Sequence, residues 1–307
     1  MKFLIIFVFL SAIAINLYLK MRSYKFDIPP YDLELKPIKG LKNISEDLEQ
    51  SLNKNYMRRV AERITEHSKP ESENEYEWRI LDMKRFFIVA ALVKEAPMFS
   101  WKVDGIWHEM LMFTREYDEF SENYLGTKIH HDPNENVEPT PDLRGFFDWI
   151  YAELFFIKKE NIYLYNGFFG CAVHPNVIND FRNLTENELI EIYFNYDTKY
   201  MDTISALISS MKQSANNVKD YKKSVIRKKV RNSKKQQNFN ELLVPFLSVS
   251  YFHYSEYPSY MNIKVNKGYA SQCNVCGTSS CASKSDRSNG SDTSDGSYSS
   301  CSSGGGD

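Results

Sequence analysis

Apolar side chains begin as an almost unbroken run, FLIIFVFLSAIAINLYL over residues 3–19, with only Ser11 and Asn16 interrupting it. Beyond it they recur at helical intervals. Leu48, Leu52, Met57, Val60 and Ile64 form a stripe that predicts a helix capped by Ser45, with Glu46, Asp47 and Glu49 complementing the dipole of its first turn and Ser68-Lys69-Pro70 ending it. From Tyr76 to Glu95 the apolar face, Trp78, Ile80, Leu81, Phe86, Phe87, Val89, Ala90, Leu92 and Val93, is so wide that the helix must be largely buried. A third helix is predicted over residues 101–124, closed by Gly126, and a fourth from Asp142 to Phe156, where Leu143, Phe146, Phe147, Trp149, Ile150, Leu154 and Phe155 recur. Thr185 and Glu188 have capping-box spacing ahead of Leu189, Ile190 and Ile192, and residues 200–211 continue the helical body.

Two stretches break the rhythm. Gly167, Gly170 and two aromatic clusters within residues 161–181 read as a packed irregular segment or short hairpin, and residues 239–265, alternating and carrying Pro245 and Pro258, read as a short strand or extended segment on the bundle. After Gly268 the composition turns to Ser, Gly, Asp and Asn, too poor in large apolar groups to offset the entropy of folding. The pattern therefore predicts a mainly α protein: a membrane anchor at 1–22, a linker at 23–42 marked by Pro29, Pro30, Pro37 and Gly40, a helical globular domain at 43–268 and a disordered Ser/Gly/Cys-rich tail at 269–307.

The first segment supports two readings. Seventeen apolar-rich residues barely span a hydrocarbon layer of about 30 Å as a helix, whereas Ala12-Ile13-Ala14 after Lys2 fits a signal-peptide cleavage site and a secreted product. The run continues through Leu17-Tyr18-Leu19, which favours an uncleaved single-pass anchor. Lys20, Arg22 and Lys25 follow it, so the positive-inside rule places the body in the cytoplasm.

Length and charge narrow the classes further. The 307 residues, 42% apolar, suffice for a substantial core, and a net charge of −2 excludes a globally basic nucleic-acid binder. Local charge differs. Residues 218–235 predict a helix with Val218, Tyr221, Val225 and Val230 on one side and nine cations around the rest, Arg227, Lys228, Lys229 and Arg231 at its centre. Such a face is either simply solvated or a contact for anionic lipid, and the lack of interleaved aromatics disfavours nucleic acid. Of five cysteines, only Cys171 lies outside the tail; it reads as a small buried group, although His174 three residues on admits a thiolate–imidazole pair. Cys273-x-x-Cys276 begins like a zinc site that no second pair completes.

Unusual chemistry concentrates between Trp101 and Pro133, which holds three of the six histidines. On a continuous helix Asp104, His108, Leu111 and Arg115 share a face, so that the Asp104 carboxylate and the His108 ring can touch. His130 and His131 follow Gly126 on a turn that can aim a ring inward. These groups suit either a structural hydrogen bond or a divalent metal such as zinc, held by Asp104, His108, His130 and His131. No His-Glu-x-x-His pair and no phosphate-binding Gly-rich loop accompanies them.

Val103-Asp104-x-x-Trp107-His108, Thr114-x-x-Tyr117 and Gly126-x-x-x-His130-His131-x-Pro133 together resemble the signature of the glycine-rich domain-containing protein-like family. The likeness covers roughly residues 80–133, and the low-complexity tail is similar to the ends of many members. It departs at Met110, where members often carry a second histidine, and in a tail less dense in glycine and cysteine. The resemblance implies a mainly helical fold and a role for Asp104, His108, His130 and His131, and it carries no settled activity. A membrane-tethered binding or scaffold protein is the resulting expectation; a metal-dependent hydrolase or other metalloenzyme using the Asp/His/His cluster to activate water is the alternative.

Overall fold

The computed structural model describes residues 24–67, 70, 72–130, 132–133, 141–263 and 279–281. The apolar run at residues 3–19 therefore lies outside the described residues, as do His131 and most of the tail. Among the described residues no helix is long and apolar enough to cross a membrane.

Helix dominates, as the periodicity predicts. The long helix α3, Glu73–Leu92, forms the centre: it starts at Ser72, whose hydroxyl accepts from Glu75 N–H, and buries side chains on every side. Against it pack α1, Leu41–Ser51, and α4, Trp101–Leu111, with α2, Lys54–His67, lying across α4 and α5, Thr114–Leu125, lying across α1. The second half is built from α6, Pro141–Leu154, the short α7, Lys159–Leu164, then α8, Pro175–Asn183, α9, Glu186–Tyr193, and α10, Met201–Asn216, followed by α11, Lys223–Gln236, α12, Leu243–Phe252, and α13, Tyr257–Tyr260. Large aromatic groups join the layers: Phe86, Phe87, Trp107 and Phe120 in the first half, and Trp149, Phe181, Tyr151 and Phe168 in the second.

Several boundaries differ from expectation for local physical reasons. The first predicted helix is two. Asn53 turns back to cap α2, its side-chain carbonyl accepting from Asn55 and Tyr56 N–H, and Leu52 is extended. Its start is Gly40 rather than Ser45: Gly40 holds φ +81°, and a Cβ there would come within 2.1 Å of Thr203 Oγ1, so only glycine brings α1 this close to α10. The third predicted helix also divides, at Met112–Phe113, into α4 and α5. Arg115 consequently leaves the Asp104/His108 face and pairs with Glu119 in solvent. The predicted strand or extended segment near residue 245 is α12, a helix buried all round; Pro245 is tolerated because it lies in the first turn, where its missing N–H has no partner to lose. Helix α11 begins at Lys223, so Ile226, Val230 and Ser233 are its buried residues and Val225 is exposed.

The Pro-rich segment expected as a linker is extended and stitched to the body. Phe26 and Asp27 carbonyls accept from Asn74 Nδ2 and Trp78 Nε1, the Leu33 carbonyl accepts from both Nε and Nη2 of Arg85, and Lys36 N–H donates to Leu154 O. Residues 24–38 thus form a strap across α3, α6 and α7. A small antiparallel sheet, β1–β3–β2, joins Ala96–Pro97 and Asp132–Pro133 through Ser279–Cys281, with Ala96 opposite Cys281 and Asp132 opposite Ser280. Three residues of the segment expected to be disordered are its central strand.

Candidate functional site

Helix α4 carries the site. Ser100 caps it, accepting from Val103 N–H while its hydroxyl donates to Leu164 O, which ties the start of α4 to the end of α7. Asp104 then falls in the first turn, where the helix dipole favours a carboxylate. One turn later His108 places Nδ1 at 3.4 Å from Asp104 Oδ2, as the i,i+4 spacing predicts. The pair is asymmetric: Asp104 is 6% exposed, whereas the His108 side chain is 53% exposed.

The second half of the signature is held to α4 by a relay of buried groups. Trp107 Nε1–H donates to Tyr117 Oη at 2.9 Å, and Tyr117 O–H donates to the Ile129 carbonyl at 2.9 Å. The tryptophan of Trp-His, the tyrosine of Thr-x-x-Tyr and the residue preceding His130 are therefore one hydrogen-bonded unit. Gly126 makes the return available by ending α5 at φ +70°. The relay delivers the chain to His130, which is exposed. His131 lies outside the described residues. Among the described residues no group of three or more His, Cys, Asp and Glu side chains is arranged to hold a metal ion; of the four signature residues named as ligands, the described ones brought together are Asp104 and His108.

Two charged clusters flank the pair, and neither is singled out by the sequence. At the start of α3 the buried Glu75 carboxylate accepts from Arg79 Nη2 at 2.7 Å and from Lys102 Nζ of α4. On the other side Glu109 accepts from Arg63 Nε at 2.6 Å and lies 3.2 Å from His67 Nδ1. Glu75 and Arg79 stand at i,i+4 and were legible as a pair, but nothing local marks them as buried.

The alternative dyad is dismantled. Cys171 is disulfide-bonded, so it presents no thiolate, and His174 Nδ1 accepts from Asn176 N–H to cap α8. On α11, Arg227 donates from Nε and Nη2 to the Ser259 carbonyl and Lys223 pairs with Glu256, while Lys228, Lys229 and Arg231 extend into solvent without an ion pair to a described residue.

Deeper in the body, burial pushes the Asp148 carboxyl up to about 6 against the pull of Arg144, whose Nε donates to it at 2.8 Å. The same cause raises Asp82, which accepts from Tyr151 O–H and from Asn161 Nδ2.

A family model described as UCP032817-like matches residues 47–145, from α1 through the whole signature to the start of α6. No curated protein and no solved structure matches.

Proposed function

We propose that this chain is a membrane-tethered binding or scaffold protein, with residues 3–19 as its single-pass anchor, and that it belongs with the glycine-rich domain-containing protein-like family whose signature it resembles. The observation that carries the tether is the apolar run of residues 3–19, continued through Leu17-Tyr18-Leu19 and followed by Lys20, Arg22 and Lys25; Tyr24 stacks on Tyr163 at 4.2 Å, so the folded body begins within a few residues of that run. The interlocked Trp107, Tyr117 and Ile129 support the family reading, because three separated parts of the signature serve one geometry.

Helix α11 adds an anionic-lipid contact through Lys228, Lys229 and Arg231, with Arg227 largely committed to Ser259. Flanking charge favours a cytoplasmic body, whereas the Cys171 disulfide belongs to the chemistry of oxidising compartments. Protease protection in sealed vesicles separates these orientations. Flotation of the full chain tests the reading as a whole: it floats with neutral phosphatidylcholine vesicles through the anchor, and anionic lipid increases recovery in a manner lost in the Lys228→Glu/Lys229→Glu variant. Failure to float with either vesicle contradicts the tether, and equal recovery with both contradicts the lipid contact.

The Asp104–His108 pair supports a second reading, a metal-dependent hydrolase in which Asp104, His108 and the paired histidines would hold zinc and activate water. Elemental analysis after zinc reconstitution decides it, since a stoichiometric ion lost in His108→Ala is required.

A further inference from the structure

Four tryptophans occur in the chain, and Trp78, Trp107 and Trp149 are buried. Trp101 alone is 66% exposed, at the first position of α4. It lies at the end of a continuous row: Tyr24 stacks on Tyr163 at 4.2 Å, Lys102 Nζ sits 4.7 Å from the Tyr163 ring centre, and the same nitrogen lies 5.5 Å from the Trp101 ring. Further along the strap Lys25 is exposed and Ile28 is 83% exposed.

The row stands where the chain emerges from the apolar run. Five peptide steps separate Leu19 from Tyr24, and at full extension they reach no further than about 18 Å. Because Tyr24 is fixed to the body, this length limits how far the face can stand from the hydrocarbon edge. The headgroup layer itself is roughly 5–8 Å deep. Tryptophan prefers that layer, where an apolar ring and a polar edge are both accommodated, and lysine can bury its stem there and keep its charge in water, while Tyr24, whose hydroxyl is buried, anchors the strap beneath the row.

We propose that the face formed by Trp101, Tyr163, Lys25 and Ile28 rests on the lipid headgroup layer and fixes the orientation of the body on the bilayer. The inference rests on the tether proposed above and goes beyond it, since a tether alone leaves the body free to turn. It also locates the candidate site. At 1.5 Å of rise per residue, Asp104 and His108 lie about 5 and 10 Å along α4 from Trp101, so the exposed His108 ring stands within about 10 Å of the contact. A ligand for this pair would then arrive along the membrane surface. The acidic groove lined by Asp32, Glu46, Glu49 and Glu77 marks a limit of the face, since anionic lipid would repel it.

The test uses the full chain in phosphatidylcholine vesicles, either ordinary or brominated at the headgroup end of the acyl chains. Bromine quenches tryptophan at contact, and Trp101 is the exposed one. The expected result is quenching in the brominated vesicles that is mostly lost in Trp101→Phe, a substitution at a surface position that leaves the fold intact. A chain that floats with the vesicles but is unquenched, or is quenched equally in Trp101→Phe, overturns the face while leaving the tether standing. A chain that does not float overturns both.

Discussion

Asp82 on α3 and Asp104 on α4 are both nearly inaccessible carboxylates on neighbouring helices, yet their surroundings differ completely. Around Asp82 every partner is spent inside the protein: Tyr151 O–H and Asn161 Nδ2 donate to the carboxylate, Arg85 Nη1 donates to Tyr151 Oη at 2.8 Å, and the rest of the Arg85 guanidinium is committed to the Leu33 and Phe156 carbonyls. These bonds cross α3, α6, α7 and the strap, and they hold the architecture together. Asp104 orients a half-exposed imidazole. Burial of the whole set, with bonds drawn from several elements, marks a structural network, whereas the pair at Asp104 keeps one member buried and the other half-exposed.

Unfolding measurements can break this contrast. Asp82→Ala leaves the buried Tyr151 O–H and Asn161 Nδ2 without their acceptor and removes one of the two carboxylates near the fully buried Arg85, the other being Glu34 at 4.0 Å, and the expected loss is about 3–5 kcal/mol in urea denaturation. A loss below about 1 kcal/mol would remove the structural role. The next effect is one of pH. Burial raises Asp148 to about 6 from an ordinary 3.8, so the folded state binds its proton more tightly than the unfolded chain does. The stability from this linkage is fully present below about pH 4 and is lost as pH rises through 6, an effect of about 2–3 kcal/mol at about 1.4 kcal/mol per unit. Unfolding free energies at acidic and neutral pH should converge in Asp148→Asn relative to wild type; an unchanged slope would contradict the assignment.

Tyr117→Phe sharpens the comparison within the signature. It removes the hydroxyl that accepts from Trp107 Nε1 and donates to the Ile129 carbonyl, at a cost of about 1–3 kcal/mol, and it should shift the His130 ring resonances in NMR spectra. Unmoved His130 signals would show that the relay does not position the turn. The smallest effect belongs to His108→Ala. A polar contact with one exposed partner contributes about 1 kcal/mol or less, so stability should barely change. A loss comparable to Asp82→Ala would place this pair among the structural networks.

Legibility in the sequence followed the range of the interaction. Thr185 and Glu188 close a capping box three residues apart, Gly126 ends α5 with a left-handed residue, and Asp104 meets His108 across one turn; all three depend on near neighbours and were readable. The divisions at Leu52–Asn53 and Met112–Phe113 were not, because the apolar stripe continues across each break and tertiary packing decides the direction of the chain. Helix α12 lacks a polar face, so its periodicity carries no sign of helix. The strap was seen as extended, but its hydrogen bonds to Asn74, Trp78 and Arg85 join residues about fifty positions apart, beyond any local pattern. The relay from Trp107 to Ile129 lies between these cases: the signature showed which residues matter, and the fold supplied the reason.

The proposed tether underlies the proposed orientation of the body, and alkaline carbonate extraction of membranes carrying the full chain tests it most directly. The chain is expected to stay in the membrane pellet, held by residues 3–19. Release of the intact chain into the carbonate supernatant would contradict it.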